Sequence, residues 1–576
     1  MKPIIVHSHI YKCAGTSIIS SLKHYFGDGL ILAERATPSD PFLGGNDIER
    51  LLCDNDSVCA ISSHSVTCSL PKSAGGRKVI PIVLLRNPIQ RARSVYYFNK
   101  KNPPTNCYIS DVSKSSDTFD EWMGKVLYSP IKRSLINFQA RFFLKNFIPS
   151  KDLDTLQINE AKRALFSDDI YIGTVERIHE SLALWEYGLR KYYPNLDLSV
   201  RTENTTSNIR KSSSKADVLS DINLEYFTQN NIDFELHRLA SARLDDEISK
   251  INNFSELLED YKKRCDFKNR GVSVIIPAYN HGQFISQTLE SIYSQTFRAF
   301  ELIVVNDGSP DDTEETLRPH IESGKIRYIR QENQGVAAAR NRGAAEARGA
   351  YLAFLDDDDC WPPDKLEWQV AVMESCDAVM VAGINDSERL PLSVDVLSKA
   401  PPFVPSIYDF FKRNMIGSPG QTLIRRVAFD AVGGFDPEVW GMDDYDLWIR
   451  LAHQGEIRKH WKLSLFYRYH DSNASLDVVR MAFSLKQVIR KNSLILGKTH
   501  KPKLKKLGYR YHFNYFGKKM IWKAGAKLFC GDFSSAFSDF TNGLSYYLVR
   551  MLKDPVLFGM VILTVLKIPI RARRYL

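Results

Sequence analysis

The chain has 576 residues, 44% hydrophobic and 25% charged, a composition that excludes a disordered or fibrous protein and a length that favours more than one domain. Its formal charge of +10 is uneven: residues 490–576 carry 18 Lys and Arg against Asp532, Asp539 and Asp554, a net of +15, which leaves −5 for the rest. The nine cysteines form no CxxC pair and are odd in number, which fits neither a zinc site nor a disulfide framework, and "MKPIIVHSHI" has no long apolar core; both point to a reducing, cytoplasmic setting.

In chain order, "KPIIVHSHI" reads as a short buried strand, followed by a loop and a helix with Ile18, Ile19, Leu22, Tyr25 and Phe26 on one face. A second buried strand, "IPIVLL", ends in Arg86 and Asn87 and leads into another helix. The charge-dense stretch "DYKKRCDFKNRG" is expected to be a linker, placed at 251–270 after a first domain of 1–250. From 271 to 480 strands and helices alternate, which predicts a mostly parallel sheet with helices on its faces. Residues 481–576 are expected to form a separate helical, basic region. The fold class is therefore α/β, with two α/β domains and a helical tail.

The loop "HIYKCAGTS" places Lys12, Gly15, Thr16 and Ser17 at a strand-to-helix turn. Backbone N–H groups, hydroxyls and a cation there suit a phosphate or sulfate, although the GxxxxGK[ST] order of a P-loop is absent. With "LLRNPIQRARSVYYF" the pair resembles the carbohydrate sulfotransferases that use 3′-phosphoadenosine 5′-phosphosulfate (PAPS). That resemblance covers about residues 1–245 and implies a P-loop-like sulfotransferase fold. It implies that Lys12 touches the oxygen bridging sulfate to phosphate, that Gly15, Thr16 and Ser17 hold the 5′-phosphate, and that Arg86 and Ser94 hold the 3′-phosphate. Tyr11, Cys13 and Asn87 depart from the family pattern. His64 sits where related enzymes often carry a His and is the candidate base, with a packing or surface role as the alternative.

Five further stretches, "VSVIIPAYN", "VVNDGSPDDT", "ENQGVAAARNRG", "AFLDDDDCWPPDKL" and "GGFDPEVWGMDDYDLWIRLA", occur in order over 272–452. Four aspartates directly after a buried strand lie at the carboxyl edge of a sheet, where ligands bind, and oxygen donors there suit Mg²⁺ or Mn²⁺. The set resembles glycosyltransferase family 2, with the GT-A fold. The resemblance implies a nucleotide-sugar site lined by Pro277, Ala278, Tyr279, Asp307, Gly335, Arg340, Asn341, Asp356 and Asp357. It implies metal ligation by Asp358 and Asp356, with His470 returning to the metal or phosphate, and an inverting displacement with Asp444 as base. Asn306, for the usual Asp, and Asp443, for the usual Glu, depart from the pattern. Trp361 and Trp440 are candidates for stacking on sugar rings or for the core.

The apolar run 555–566 spans 12 residues, shorter than the roughly 20 a spanning helix needs, and is followed by Lys567, Arg571, Arg573 and Arg574. It is expected either to pack on the enzyme or to lie against anionic lipid on the inner face of the membrane, near a lipid-linked acceptor; no nucleic-acid partner is expected. Together these features predict an enzyme that transfers both sulfate and sugar to a carbohydrate in surface polysaccharide synthesis. The alternative is a glycosyltransferase whose N-terminal domain is a non-catalytic glycan- or nucleotide-binding module.

Overall fold

The computed structural model describes residues 2–33, 43, 45–53, 57–101, 112–113, 116–144, 152–200, 219–387, 401–470 and 477–512. The chain divides into two compact units, Met1–Lys268 and Asn269–Leu576. The apolar run 555–566 and the basic residues after it lie outside the described residues, and with them the expectation of a membrane contact. Among the described residues, no helix is long and apolar enough to cross a membrane.

In the first unit, five strands run parallel in the order β2 (Leu30–Leu32), β3 (Ala60–Ser63), β1 (Ile4–Ser8), β5 (Arg77–Leu85) and β6 (Tyr171–Thr174). The two-residue β4 (Ser73–Ala74) folds back antiparallel onto β5. β1 and β3 are buried along their whole length, as central parallel strands covered on both faces must be. The carboxyl ends of β1 and β5 therefore lie side by side, and each feeds a helix: Gly15–Phe26 after β1, Pro88–Lys101 after β5.

The stretch expected as a linker is a helix, Phe254–Arg270, within which Phe254, Tyr261, Cys265 and Lys268 are buried. Its charges do not face water alone. Arg264 bonds Glu186 at 2.6 Å and Asp197 at 2.5 Å, and Lys268 donates to the Ser199 carbonyl. Charge density misled the reading because the partners lie some 70 positions upstream.

The second unit holds a seven-stranded mixed sheet: β13 (Ile457–Leu465), β11 (Met380–Asn385), β12 (Thr422–Arg425), β10 (Tyr351–Phe354), β7 (Val272–Ala278), β8 (Phe300–Asn306) and β9 (Arg327–Arg330). It is parallel except at β12, which runs antiparallel to both neighbours. Residues of β7 alternate between two cores: Ile275 packs with helices Val336–Glu346 and Asp443–Gln454, while Val274 and Ile276 pack with Gly282–Tyr293 and Lys365–Ser375. The boundary expected at 481 is wrong. Helix Val478–Asn492 buries Ala482, Leu485, Val488 and Ile489 in the first of these cores, joined by Leu504 of helix Lys501–His512. An amphipathic helix is stabilised mainly by the apolar face it buries, and here that face completes the unit.

Candidate active site of the second unit

β7, β8 and β10 end at one edge of the sheet, and the segments leaving them form a cleft of about 440 Å³. Pro277, Ala278, Tyr279, Asp307, Gly335, Arg340, Asp356, Asp357, Asp358 and Asp444 all line it, together with Trp440, Asp443 and Met481. Asn341 does not. Its side-chain amide exchanges two hydrogen bonds with the backbone of Phe435, at 2.8 and 2.9 Å, so it fixes the turn at Gly433–Gly434 instead of meeting a ligand. Trp361 is core: it is buried and donates to the Gly420 carbonyl. Met481 belongs to the C-terminal helices, which thus supply a wall of the cleft.

Asp307 accepts from Gln331 Nε2 and the Gln334 amide through Oδ1, and from the Gly335 amide through Oδ2. Those bonds hold the segment that starts helix Val336–Glu346. Gly335 caps it with φ 88°, a left-handed conformation that favours glycine.

The four consecutive aspartates do four different things. Asp356 Oδ1 accepts from Arg340 Nη2 at 2.5 Å. Asp357 accepts the Tyr279 amide at 2.9 Å and faces His281 Nδ1 at 2.8 Å, so each of its oxygens is engaged by a protein group. Asp358 Oδ2 lies 2.7 Å from His470 Nε2. Asp359 accepts the Arg468 amide at 2.9 Å, and its Oδ2 is buried. Burial pushes the Asp357 carboxyl up to about 6; burial with the charges of Asp356 and Asp358 pushes Asp359 up to about 9.

His470 reaches this place because the chain after β13 runs back beside the aspartates. Phe466 pairs with Cys360, and Arg468 Nε donates to the Asp358 carbonyl. Asp358 and His470 offer adjacent oxygen and nitrogen donors in a wall of buried carboxylates, a donor chemistry that fits a divalent cation. Asp356 is turned towards Arg340 by comparison.

Arg340 is buried and bridges Asp356 to Asp443, whose Oδ2 accepts from Nη1 at 2.7 Å. Asp443 and Asp444 begin helix Asp443–Gln454. Asp444 accepts the Tyr445 amide, and burial beside the negative Asp443 pushes its carboxyl up to about 8. Burial raises the Asp443 carboxyl too, against the pull of Arg340, so the two acids differ in their partners: Asp443 is bound to a cation, while Asp444 faces the cleft.

In the first unit the structure brings Lys12 and Arg86 together: Arg86 Nη1 donates to the Lys12 carbonyl at 3.0 Å. Lys12 and Ala14 both have positive φ, 66° and 57°, so the loop turns tightly before Gly15. A Cβ on Gly15 would lie 1.6 Å from the His9 ring, which is why glycine stands there. Thr16 and Ser17 occupy the first turn of that helix, and Ser94 is half-buried on the helix after Arg86. Burial and the neighbouring Arg86 lower the Lys12 ammonium to about 8. Its Nζ lies 3.0 Å from the centre of the Phe98 ring. His64 is exposed; its Nδ1 bonds the His9 carbonyl at 2.8 Å, which places the proton on Nδ1 and leaves Nε2 as the basic nitrogen. Sequence reading missed Gln139, whose amide takes the Arg86 amide and donates to the Arg86 carbonyl. Gln139 comes from a distant loop and carried no local signal.

The second unit is thus an α/β unit with a mixed sheet, an acidic cleft at the strand ends and a paired acid at a helix start. Residues 273–433 match the family Glycosyl transferase family 2. The chain is 32% identical over 189 residues to TuaG of Bacillus subtilis, named for teichuronic acid biosynthesis, covering 73% of that protein and 32% of this one. It is also 32% identical over 216 residues to an "uncharacterized glycosyltransferase" of Rickettsia felis, spanning 34% of each chain. Through its second unit, this chain belongs to glycosyl transferase family 2. Solved structures similar to it include Staphylococcus aureus TarS 1-349 with UDP-GlcNAc (17% identity, TM-score 0.39, 53% of this chain and 92% of that one). Another is the Pyrobaculum calidifontis mannosyltransferase PcManGT with GDP-Man and Mn²⁺ (20% identity, TM-score 0.34, 52% and 86%).

Proposed function

We propose that the second unit transfers a sugar from a nucleotide-sugar to a carbohydrate hydroxyl with inversion, in the synthesis of a surface polysaccharide. The observation that carries this reading is the placement of Asp444 in one cleft with Asp356, Asp358 and the Pro277–Tyr279 segment. Asp444 takes the proton from the attacking hydroxyl, and its raised proton affinity suits that role. Arg340 holds Asp356 and Asp443 in place. Asp358 and His470 would hold Mg²⁺ or Mn²⁺, which supplies positive charge to the departing nucleoside diphosphate. TuaG's name supports a surface-polymer setting. A panel of nucleotide-sugars assayed for nucleoside diphosphate release tests the reading: release from one donor, lost in Asp444→Asn, is expected, and no turnover with any donor would count against it.

For the first unit, the neighbouring Lys12 and Arg86 at adjacent strand ends favour a ligand bearing phosphate or sulfate. The family match covers none of residues 1–268. The coarser reading is therefore a nucleotide- or glycan-binding module beside a glycosyltransferase. Sulfate transfer from PAPS, with Lys12 at the leaving phosphate and His64 as base, is the finer one. Labelled sulfate appearing in a carbohydrate product separates the two; PAPS binding without transfer supports the module.

A further inference from the structure

We propose that His281 is a metal ligand of the cleft, completing with Asp358 and His470 a set of two imidazoles and one carboxylate, with Asp357 as its positioning residue. This rests on the reading of the cleft as a nucleotide-sugar site and extends it to the identity of the metal. One donor atom from each of His281, Asp358 and His470 falls within 4.8 Å of the others. The two rings approach at 5.1 Å between centroids, nearly perpendicular.

His281 is set for this by its other nitrogen. Nδ1 faces Asp357 Oδ1 at 2.8 Å, while Asp357 Oδ2 is anchored by the Tyr279 amide. A carboxylate on one ring nitrogen fixes the tautomer and the ring plane and leaves Nε2 as the donor. The arrangement also gives the second aspartate of the run a part of its own: it holds a ligand instead of being one.

The donor set carries a selectivity. Mg²⁺ takes oxygen ligands, whereas imidazole suits the first-row transition ions. Two histidines out of three protein donors therefore favour first-row transition ions over Mg²⁺, and Mn²⁺, whose unpaired electrons report ligand nitrogens, serves as the probe.

The test uses the full chain and the metal alone, with no sugar donor. Pulsed electron paramagnetic resonance of the wild-type Mn²⁺ complex should show two coupled imidazole nitrogens. His281→Ala should lose one and weaken Mn²⁺ about tenfold or more, with Mg²⁺ binding little changed; Asp357→Asn should weaken Mn²⁺ roughly tenfold while both nitrogens remain. A single nitrogen in the wild type, or unchanged Mn²⁺ affinity in a folded His281→Ala, would overturn the assignment, as would Mg²⁺ binding as tightly as Mn²⁺. The wild-type spectrum does not depend on any variant folding. Because no substrate is present, two nitrogens without turnover on any donor would sink the transferase reading and leave the metal assignment standing.

Discussion

Arg340 donates to Asp443 at 2.7 Å in the interior of the second unit, and its other terminal nitrogen donates to Asp356 at 2.5 Å. One side chain thus ties the aspartate run after β10 to the start of the helix that carries Asp444. The aspartate run and the acid pair at the helix start share one buried cation.

Arg340→Ala should leave the buried Asp443 and the half-buried Asp356 without their partner. Breaking a buried ion pair from one side costs on the order of 3–5 kcal/mol, so denaturant unfolding of the second unit should shift by that amount. Arg340→Lys should not restore it, because an ammonium lacks the planar fork that spans two carboxylates. Stability within about 1 kcal/mol of wild type in Arg340→Ala would show the bridge to be incidental.

Asp444→Asn should fold and bind donor while losing turnover by roughly 10²–10⁴-fold. In the wild type the Asp444 carboxyl is pushed up to about 8 by burial and by Asp443. A protonated carboxyl cannot accept a proton, so kcat/KM should climb as pH rises through that region and fall below it. The stability effect has the opposite sense: a raised carboxyl favours the fold most below the ordinary carboxylate range of about 4, and that contribution is lost as pH rises from there through about 8. A flat rate profile from pH 6 to 9 would move the base elsewhere.

Leu485→Ala should destabilise the second unit by about 2–5 kcal/mol, since Leu485 is fully buried in its core. Truncation after residue 477 should yield insoluble protein. A soluble, active truncation would return helices Val478–Asn492 and Lys501–His512 to the status of an appendage.

Lys12→Ala and Arg86→Ala should each weaken PAPS binding to the full chain, measured by calorimetry, while donor turnover in the second unit stays near wild type. A charge-assisted contact contributes about 1.5–3 kcal/mol, or roughly tenfold to 150-fold in affinity. Unchanged binding in both variants would remove the anion site from this loop.

The strands and the order of the motifs were legible because they are local: a mostly apolar run such as "VSVIIPA" makes a buried parallel strand in almost any context. What the letters could not give is direction. Four identical aspartates read as a metal motif, yet the turn after β10 sends each to a different partner, and only the fold supplies Arg340, His281, His470 and Arg468. Asn341 sits inside a family motif but is spent on a turn at Phe435. Helix Phe254–Arg270 read as a linker because Glu186 and Asp197, which neutralise Arg264, are remote in sequence. Gln139 clamps Arg86 from a loop with no motif at all.

The most direct test of the account is the anomeric configuration of the sugar product, read by NMR with the turned-over donor, Mn²⁺ and a carbohydrate acceptor, in wild type and Asp444→Asn. The account predicts a product of configuration opposite to the donor, formed by the wild type and nearly absent with Asp444→Asn. A product that keeps the donor's configuration, or equal rates in the two proteins, would contradict it.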